Sequence, residues 1–161
     1  MDTVLRVATA GDEAAIRRLF VEMLRTIFHT QEVEGYPAGY VGRFFTGGED
    51  EILVAEQAGM VVGFLSLESH REGEPPFLYL DDFSVAAACR GQGIGSRLLD
   101  MAEEYAAALE LGEIHLHVER DNHGARRLYQ RRGFGVLAKQ APGCCWGRSF
   151  NPPGRSARAR R

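Results

Sequence analysis

Seven consecutive residues, Arg90-Gly91-Gln92-Gly93-Ile94-Gly95-Ser96, carry the clearest chemistry in this 161-residue chain. They lie between two periodicities. Phe77 to Val85 before them is short, aromatic-rich and strand-like, whereas Ile94, Leu98, Leu99, Met101, Ala102, Tyr105 and Ala106 after them recur at helical spacing. A strand-to-helix turn at that point leaves several backbone N–H groups without intrahelical partners, at the positive end of the helix dipole. Glycine at 91, 93 and 95 removes the Cβ atoms that would keep a phosphate away from those amides, and Arg90 adds a fixed positive charge. The stretch reads as a pyrophosphate cradle.

The elements around it follow from the same periodicities. Thr3 to Ala8 reads as a first strand, and Thr9-Ala10-Gly11-Asp12 has capping-box spacing. A helix is expected from there to about Phe28, with Ile16, Leu19, Phe20, Met23 and Ile27 on one face. A polar loop holding Glu32, Glu34 and Tyr36 precedes a short second helix around Ala38 to Phe45, which Gly39 and Gly42 weaken. Glu51–Glu56 and Met60–Glu68 read as a hairpin turning near Ala58-Gly59, followed by the Phe77–Val85 strand and a helix from Gly93 to Leu109. Glu113 to Glu119 alternates, with Ile114, Leu116 and Val118 on one face and His115, His117 and Glu119 on the other. Asn122 caps a helix through Arg132 that Gly133 stops; Phe134–Lys139 and Cys144–Phe150 read as final strands. The order βααβββαβαββ indicates a mixed-sheet α/β domain over residues 1–150, with 151–161 a basic, flexible tail.

Composition narrows the classes. Residues 149–161 contain four Arg and no acidic residue; without them 15 basic residues stand against 22 acidic ones. An acidic body argues against a nucleic-acid partner, whose domain would be basic. Apolar runs fall far short of the roughly 18 residues of a membrane span. Met1 to Arg6 shows no basic region followed by an apolar one, and the three cysteines, Cys89, Cys144 and Cys145, make a poor disulfide framework, so a cytoplasmic protein is expected. His115, His117 and Glu119 share a strand face, but one row of side chains converges badly on one ion, so no metal is expected.

Several pyrophosphate binders can be separated on sequence. A Walker loop needs lysine before its hydroxyl residue, and Gly95-Ser96-Arg97 lacks it. A dinucleotide fingerprint spaces its glycines differently and opens a βαβ unit. The pattern here is R-x-x-G-x-G. Leu80-Asp81-Asp82-Phe83-Ser84-Val85 followed by Cys89 to Leu99 resembles the acetyl-CoA motif of the GNAT superfamily of N-acetyltransferases. Val118, Asn122, Ala125, Leu128, Tyr129, Arg132, Gly133 and Phe134 resemble its second motif, N-x-x-A-x-x-L-Y-x-x-x-G-F. The two occur in the family's order, Asn122 lying 27 residues beyond Gly95, and the resemblance covers residues 3–150.

The resemblance implies a mostly antiparallel central sheet flanked by helices, like that of acyl-CoA N-acyltransferases. It implies that the amides of Gly91, Gln92, Gly93, Ile94, Gly95 and Ser96 hold the pyrophosphate of acetyl-CoA with help from Arg90 and Arg97. Phe83, Ser84 and Val85 would pair with the pantetheine arm, and Asn122 would add a cofactor contact to its cap. A neutral amine attacks the thioester carbonyl, which needs a base for the ammonium proton and an acid for the departing thiolate. Tyr129 occupies the family's acid position, its phenol protonated at neutral pH. Asp81 is the first candidate base, with His117, Glu119 or a water as alternatives; Asp82, its neighbour on a strand, should point to the opposite face. Glu32, Glu34, Tyr36, His117 and Glu119 are the candidate acceptor contacts, suited to a cationic amine. The expected acceptor is a small, polyamine-like amine; an aminoglycoside-type antibiotic or a protein amine follows, and a homodimer is a state the family adopts. The reading of another class is a non-catalytic acyl-CoA-binding or sensing domain.

Overall fold

The computed structural model describes residues 2–139 and 143–149. Its strands are β1 (Thr3–Val7), β2 (Glu51–Gln57), β3 (Met60–His70), β4 (Phe77–Val85), β5 (Glu113–Glu119), β6 (Gly135–Lys139) and β7 (Gly143–Ser149). The helices are α1 (Glu13–Phe28), α2 (Ile94–Ala108) and α3 (His123–Arg131). The strand order is β1-β2-β3-β4-β5-β7-β6, and β1–β2, β2–β3, β5–β7 and β6–β7 are antiparallel. This is the mixed α/β arrangement expected. The chain forms two compact units, residues 1–68 with 80–102, and residues 69–79 with 103–161. The end of the last strand and the proposed tail, residues 150–161, lie outside the described residues.

In the first unit the β2–β3 hairpin turns through Ala58 at φ 49° and Gly59 at φ 76°. Two consecutive positive φ values match the right-handed twist of the strands on either side. Ala8, Ile16, Leu19, Val41, Phe44, Ile52, Val54, Val61 and Phe64 form one buried core, joining the apolar face of α1 to one face of β2 and β3. Alternate residues of those strands, Leu53, Ala55, Leu65 and Leu67, are fully buried on the other face. The second helix expected near Ala38–Phe45 is instead a turn leading into a 3-10 segment, Val41–Phe45. Gly39 at φ +80° is incompatible with an α-helical turn there, and the short segment still buries Val41 and Phe44.

The capping box expected at Thr9–Asp12 exists: the Thr9 N–H donates to Asp12 Oδ2 at 2.8 Å, ahead of α1. Asp12 also accepts from Arg6 Nη1 and Nη2 at 2.7 and 2.9 Å, and Arg6 Nη2 reaches Glu56 at 2.8 Å. β1, β2 and the start of α1 thus share one guanidinium. In the second unit Leu78, Ala106, Leu111, Ile114, Leu116, Val118, Tyr129, Phe134 and Trp146 are buried. Asn122 Oδ1 accepts from the Ala125 N–H at 3.2 Å, the expected cap of α3, and Gly133 follows that helix at φ 88°.

The Arg6 hydrogen bonds hold the Asp12 carboxyl down at about 2. A carboxyl whose folded pKa is depressed adds stability above its unfolded value of about 3.9 and loses it as pH falls toward the folded value. Asp12→Asn should therefore lower the unfolding free energy at pH 7 by about 1–2 kcal/mol, allowing for the partial exposure of Arg6. Urea unfolding should show this deficit shrinking between about pH 4 and pH 2. A deficit independent of pH would remove the ion pair as its cause.

Candidate active site

The turn after β4 has the form the glycines require. Gly91 and Gly93 stand at φ +77° and +78°, where L side chains are strained, and a Cβ on either would meet nothing within 4 Å. Their open sides leave the room a phosphate would need. The first intrahelical bond here runs from the Arg97 N–H to the Gly93 carbonyl at 3.1 Å, so the preceding amides belong to the free end of α2.

Gly95 has a different reason. A Cβ there would lie 3.1 Å from Phe83 Cζ, so this glycine admits the Phe83 ring against the first turn of α2. Gly63 plays a like part, since a Cβ there would come 3.2 Å from the Ser84 carbonyl oxygen. Ile94 and Ser84 are buried, and Ser96 is half-buried.

The side chains of the turn are largely engaged with the protein itself. Arg90 Nε donates to the Val85 carbonyl at 3.1 Å, and Arg97 Nη2 donates to the Thr3 carbonyl at 3.1 Å, tying α2 to β1. Gln57, only 6% exposed, is the partner sequence reasoning missed. Its Nε2 donates to Thr3 Oγ1 and to Gln92 Oε1, both at 2.8 Å, and its Oε1 lies 3.7 Å from Cys89 Sγ. Cys89 thus packs beside the turn. Nothing in the local pattern of β2 singles out Gln57, because its partners lie 35 and 54 residues away.

Asp81 and Asp82 lie at the centre of β4, Asp81 exposed and Asp82 half-buried. The Asp82 N–H donates to Ser66 Oγ at 2.9 Å, and Ser66 is 1% exposed. Both carboxylates now approach one pair of stacked tyrosines: Tyr36 Oη donates to Asp82 Oδ2 at 2.5 Å, and the Tyr40 hydroxyl bonds Asp81. The Tyr36 and Tyr40 rings stack at 4.6 Å, and Phe20 stacks on Tyr36 at 3.7 Å. Arg43 completes the group. Its Nη2 reaches Glu68 at 2.9 Å and the Tyr40 hydroxyl at 3.1 Å, with its guanidinium 4.5 Å from the Tyr40 ring centre.

Partial desolvation of its carboxyl, then the charges of Asp82 and Glu68, push Asp81 up to about 6 although the residue as a whole is exposed; Arg43 and Tyr40 pull the other way. Burial also raises Asp82, and the Tyr36 hydroxyl pulls it back. Tyr36 is raised far out of the phenol range by burial and by Asp82, so it stays a donor. It is therefore a half-buried wall of the cluster rather than a loop aromatic open to an acceptor. Glu32 and Glu34 are exposed on the loop and stand outside this network.

In the second unit, His117 and Glu119 pair with one another at 3.2 Å, and His115 pairs with Glu113 at 2.6 Å while stacking on Phe77 at 3.9 Å. Among the described residues no group of three or more His, Cys, Asp or Glu is placed to hold a metal ion. Tyr129, on α3, is 8% exposed, lies edge-on to Phe134, and is pushed up to about 12 by burial. Trp146 is 1% exposed, as its expected core role requires, while the side chains of Cys144 and Cys145 lie outside the described ones.

This sheet order, with a glycine turn opening a helix straight after β4, is that of the acyl-CoA N-acyltransferase fold. PaiA N-acetyltransferase of Thermoplasma acidophilum, solved in complex with coenzyme A, matches it at TM-score 0.75 over 93% of this chain and 100% of its own, at 16% identity. Naa50 of Arabidopsis thaliana, solved with the bisubstrate analogue CoA-Ac-MVNAL, matches at 0.72 over 93% and 100%, at 21% identity. The Bacillus subtilis uncharacterized N-acetyltransferase YhfO is 31% identical over 132 residues, 81% of this chain and 88% of that protein. The model of the acetyltransferase (GNAT) family matches residues 16–134. The chain belongs to that family, and it is an acetyl-CoA-dependent N-acetyltransferase. No helix among the described residues is long and apolar enough to cross a membrane.

The two kinds of glycine separate experimentally. Gly95→Val should cost about 1–3 kcal/mol of stability, because the added carbons must displace the Phe83 ring. Gly93→Ala should cost about 1 kcal/mol through its backbone strain, while its methyl group stands where phosphate would bind. Its KM for acetyl-CoA should rise about tenfold or more, equivalent to about 1.4 kcal/mol of lost binding. An unchanged KM would take the phosphate away from this turn.

Proposed function

We propose that this acetyltransferase acts on a small cationic primary amine and that Asp81 is its general base. The observation that carries the reading is the group around Asp81: three carboxylates, Asp81, Asp82 and Glu68, stand with one arginine and two stacked tyrosines. Such a surface favours an ammonium ion by Coulomb attraction. A carboxylate pushed up to about 6 is still ionised at neutral pH, yet is a better proton acceptor than an ordinary one.

Each residue then has a defined task. The carboxylate of Asp81 takes a proton from the ammonium, directly or through a water, and frees the nitrogen lone pair. The nitrogen bonds the acetyl carbonyl carbon, and the backbone N–H at Phe83 or Val85 serves as donor to the oxygen that gains charge. The carbon–sulfur bond breaks, the Tyr129 hydroxyl supplies the proton the thiolate needs, and the proton that the nitrogen sheds as the amide forms passes to solvent, from which the phenol is restored. Burial keeps that phenol protonated well above neutral pH, which supports its role as the acid. The amides of 91–96 hold the cofactor's pyrophosphate, with Arg90 at the rim and Asn122 adding a contact beyond its cap. Residues 1–150 form the catalytic domain, which works in the cytoplasm.

Release of free CoA with diamines, polyamines, aminoglycosides and peptides bearing a free amino terminus tests the acceptor class. Small cationic amines should give the highest kcat/KM; preference for the peptides would overturn that choice, and acetyl-CoA binding without turnover on any amine would favour the sensing role. For wild type, kcat/KM should rise with pH through about 6 as Asp81 loses its proton. Asp81→Asn should lower activity and abolish that limb; an intact limb would pass the role to His117, Glu119 or another group. Tyr129→Phe should reduce kcat on the order of 10²-fold. A wild-type rate there would reassign the acid.

A further inference from the structure

We infer that Tyr36 is a positioning residue for acetyl transfer, which holds Asp82 as the fixed anion of the Asp81–Asp82 pair and leaves the exchangeable proton to Asp81. The inference rests on the reading of Asp81 as base. Its own support is geometric. Tyr36 lies 46 residues from Asp82 in sequence, yet donates to Oδ2 at 2.5 Å, the short separation of a charge-assisted bond. Its ring has little freedom: Phe20 stacks on it at 3.7 Å and 7°, and Tyr40 at 4.6 Å and 13°. Its backbone is tied as well. Arg17 Nη1 donates to the Tyr36 carbonyl at 2.8 Å and Nη2 to the Pro37 carbonyl at 3.3 Å, while Glu13 steadies Arg17 at 3.0 Å. Asp82 is held at its other end by Ser66 Oγ.

Two neighbouring carboxylates cannot both ionise at ordinary cost, so whichever has the better donor ionises first and its charge raises the other. The groups facing Asp81 come from three places. Asp82 lies on β4, Glu68 lies on β3, and Tyr40 and Arg43 lie at the 3-10 segment. Arg43 is shared among Glu68, Tyr40 and the Phe44 ring, and Tyr40 is itself shared with Arg43. Tyr36, by contrast, gives its one proton to Asp82 alone. The asymmetry between the two carboxylates therefore comes from Tyr36. In sequence they are neighbours of identical type, and only the family resemblance puts Asp81 first.

Tyr36→Phe keeps the stacked ring and removes only the donor. Asp82 then competes for the proton, and the acidic limb of kcat/KM should move upward by about half a pH unit to one unit, since a hydrogen bond to a charged group is worth about 1.5–3 kcal/mol. In an Asp82→Asn background the limb should lie lower than in wild type, and adding Tyr36→Phe should leave it where it is. A limb that Tyr36→Phe does not move, or that it moves equally in the Asp82→Asn background, overturns the proposal. Carboxyl ¹³C NMR titration of the wild-type protein gives a second reading: Asp82 should titrate below Asp81, and the reverse order would overturn it too. If Asp81→Asn keeps the limb, the base assignment fails, and the NMR order still decides whether Tyr36 sets the charge of the pair.

Discussion

Two stacked tyrosines tie the middle of β4 to the chain ahead of β2. Tyr36 donates to Asp82, Tyr40 bonds Asp81, and Ser66 Oγ accepts from the Asp82 N–H at 2.9 Å. Farther along the strand two close approaches exclude side chains, Gly63 against the Ser84 carbonyl and Gly95 against the Phe83 ring. The strand is thus held at its centre by side-chain hydrogen bonds and at its end by packing on the first turn of α2.

The charge arrangement that results is asymmetric. Arg43 pairs with Glu68 and also acts on Asp81 by its charge, and its guanidinium lies over the Tyr40 and Phe44 rings at 4.5 Å. Carboxylates this crowded and partly withdrawn from water resist ionisation, which is why Asp81 titrates well above its usual range. A structural ion pair has the opposite signature. Arg6 with Asp12 and Glu56 holds Asp12 at about 2, two donors to one carboxylate and no competing anion on it. The same residue type is therefore held ionised far into acid in one place and raised toward neutrality in another, according to what surrounds it.

The histidines of β5 show the same dependence on surroundings. Alternation places His115, His117 and Glu119 in one row, as the sequence requires. Each imidazole pairs with the carboxylate two residues away on its own strand, Glu113 for His115 and Glu119 for His117. Ion pairing along the strand, and the Phe77 stack on His115, account for these residues without any shared ligand.

Much was legible in the sequence because it depends on near neighbours. The R-x-x-G-x-G turn, the hairpin at Ala58-Gly59, the Asn122 cap and the alternation of β5 all express backbone preferences or side-chain periodicity over a few residues, and each appears where the pattern places it. Glycine patterns also carried the family resemblance, since a backbone that must run at positive φ leaves a mark in residue type. The cluster around Asp81 had no such mark. Tyr36 and Asp82 are 46 residues apart, Arg43 and Glu68 are 25 apart, and Gln57 and Gln92 are 35 apart. The short helix foreseen at Ala38–Phe45 became a turn and a 3-10 segment, whose packing sets Tyr40 beside Tyr36. Residue types along the chain determined that there would be a phosphate-sized turn and carboxylates on the strand before it. Which carboxylate keeps a donor and which is left to titrate was decided by tertiary contacts, because a pKa depends on the groups that folding brings within a few ångströms and on the water it removes.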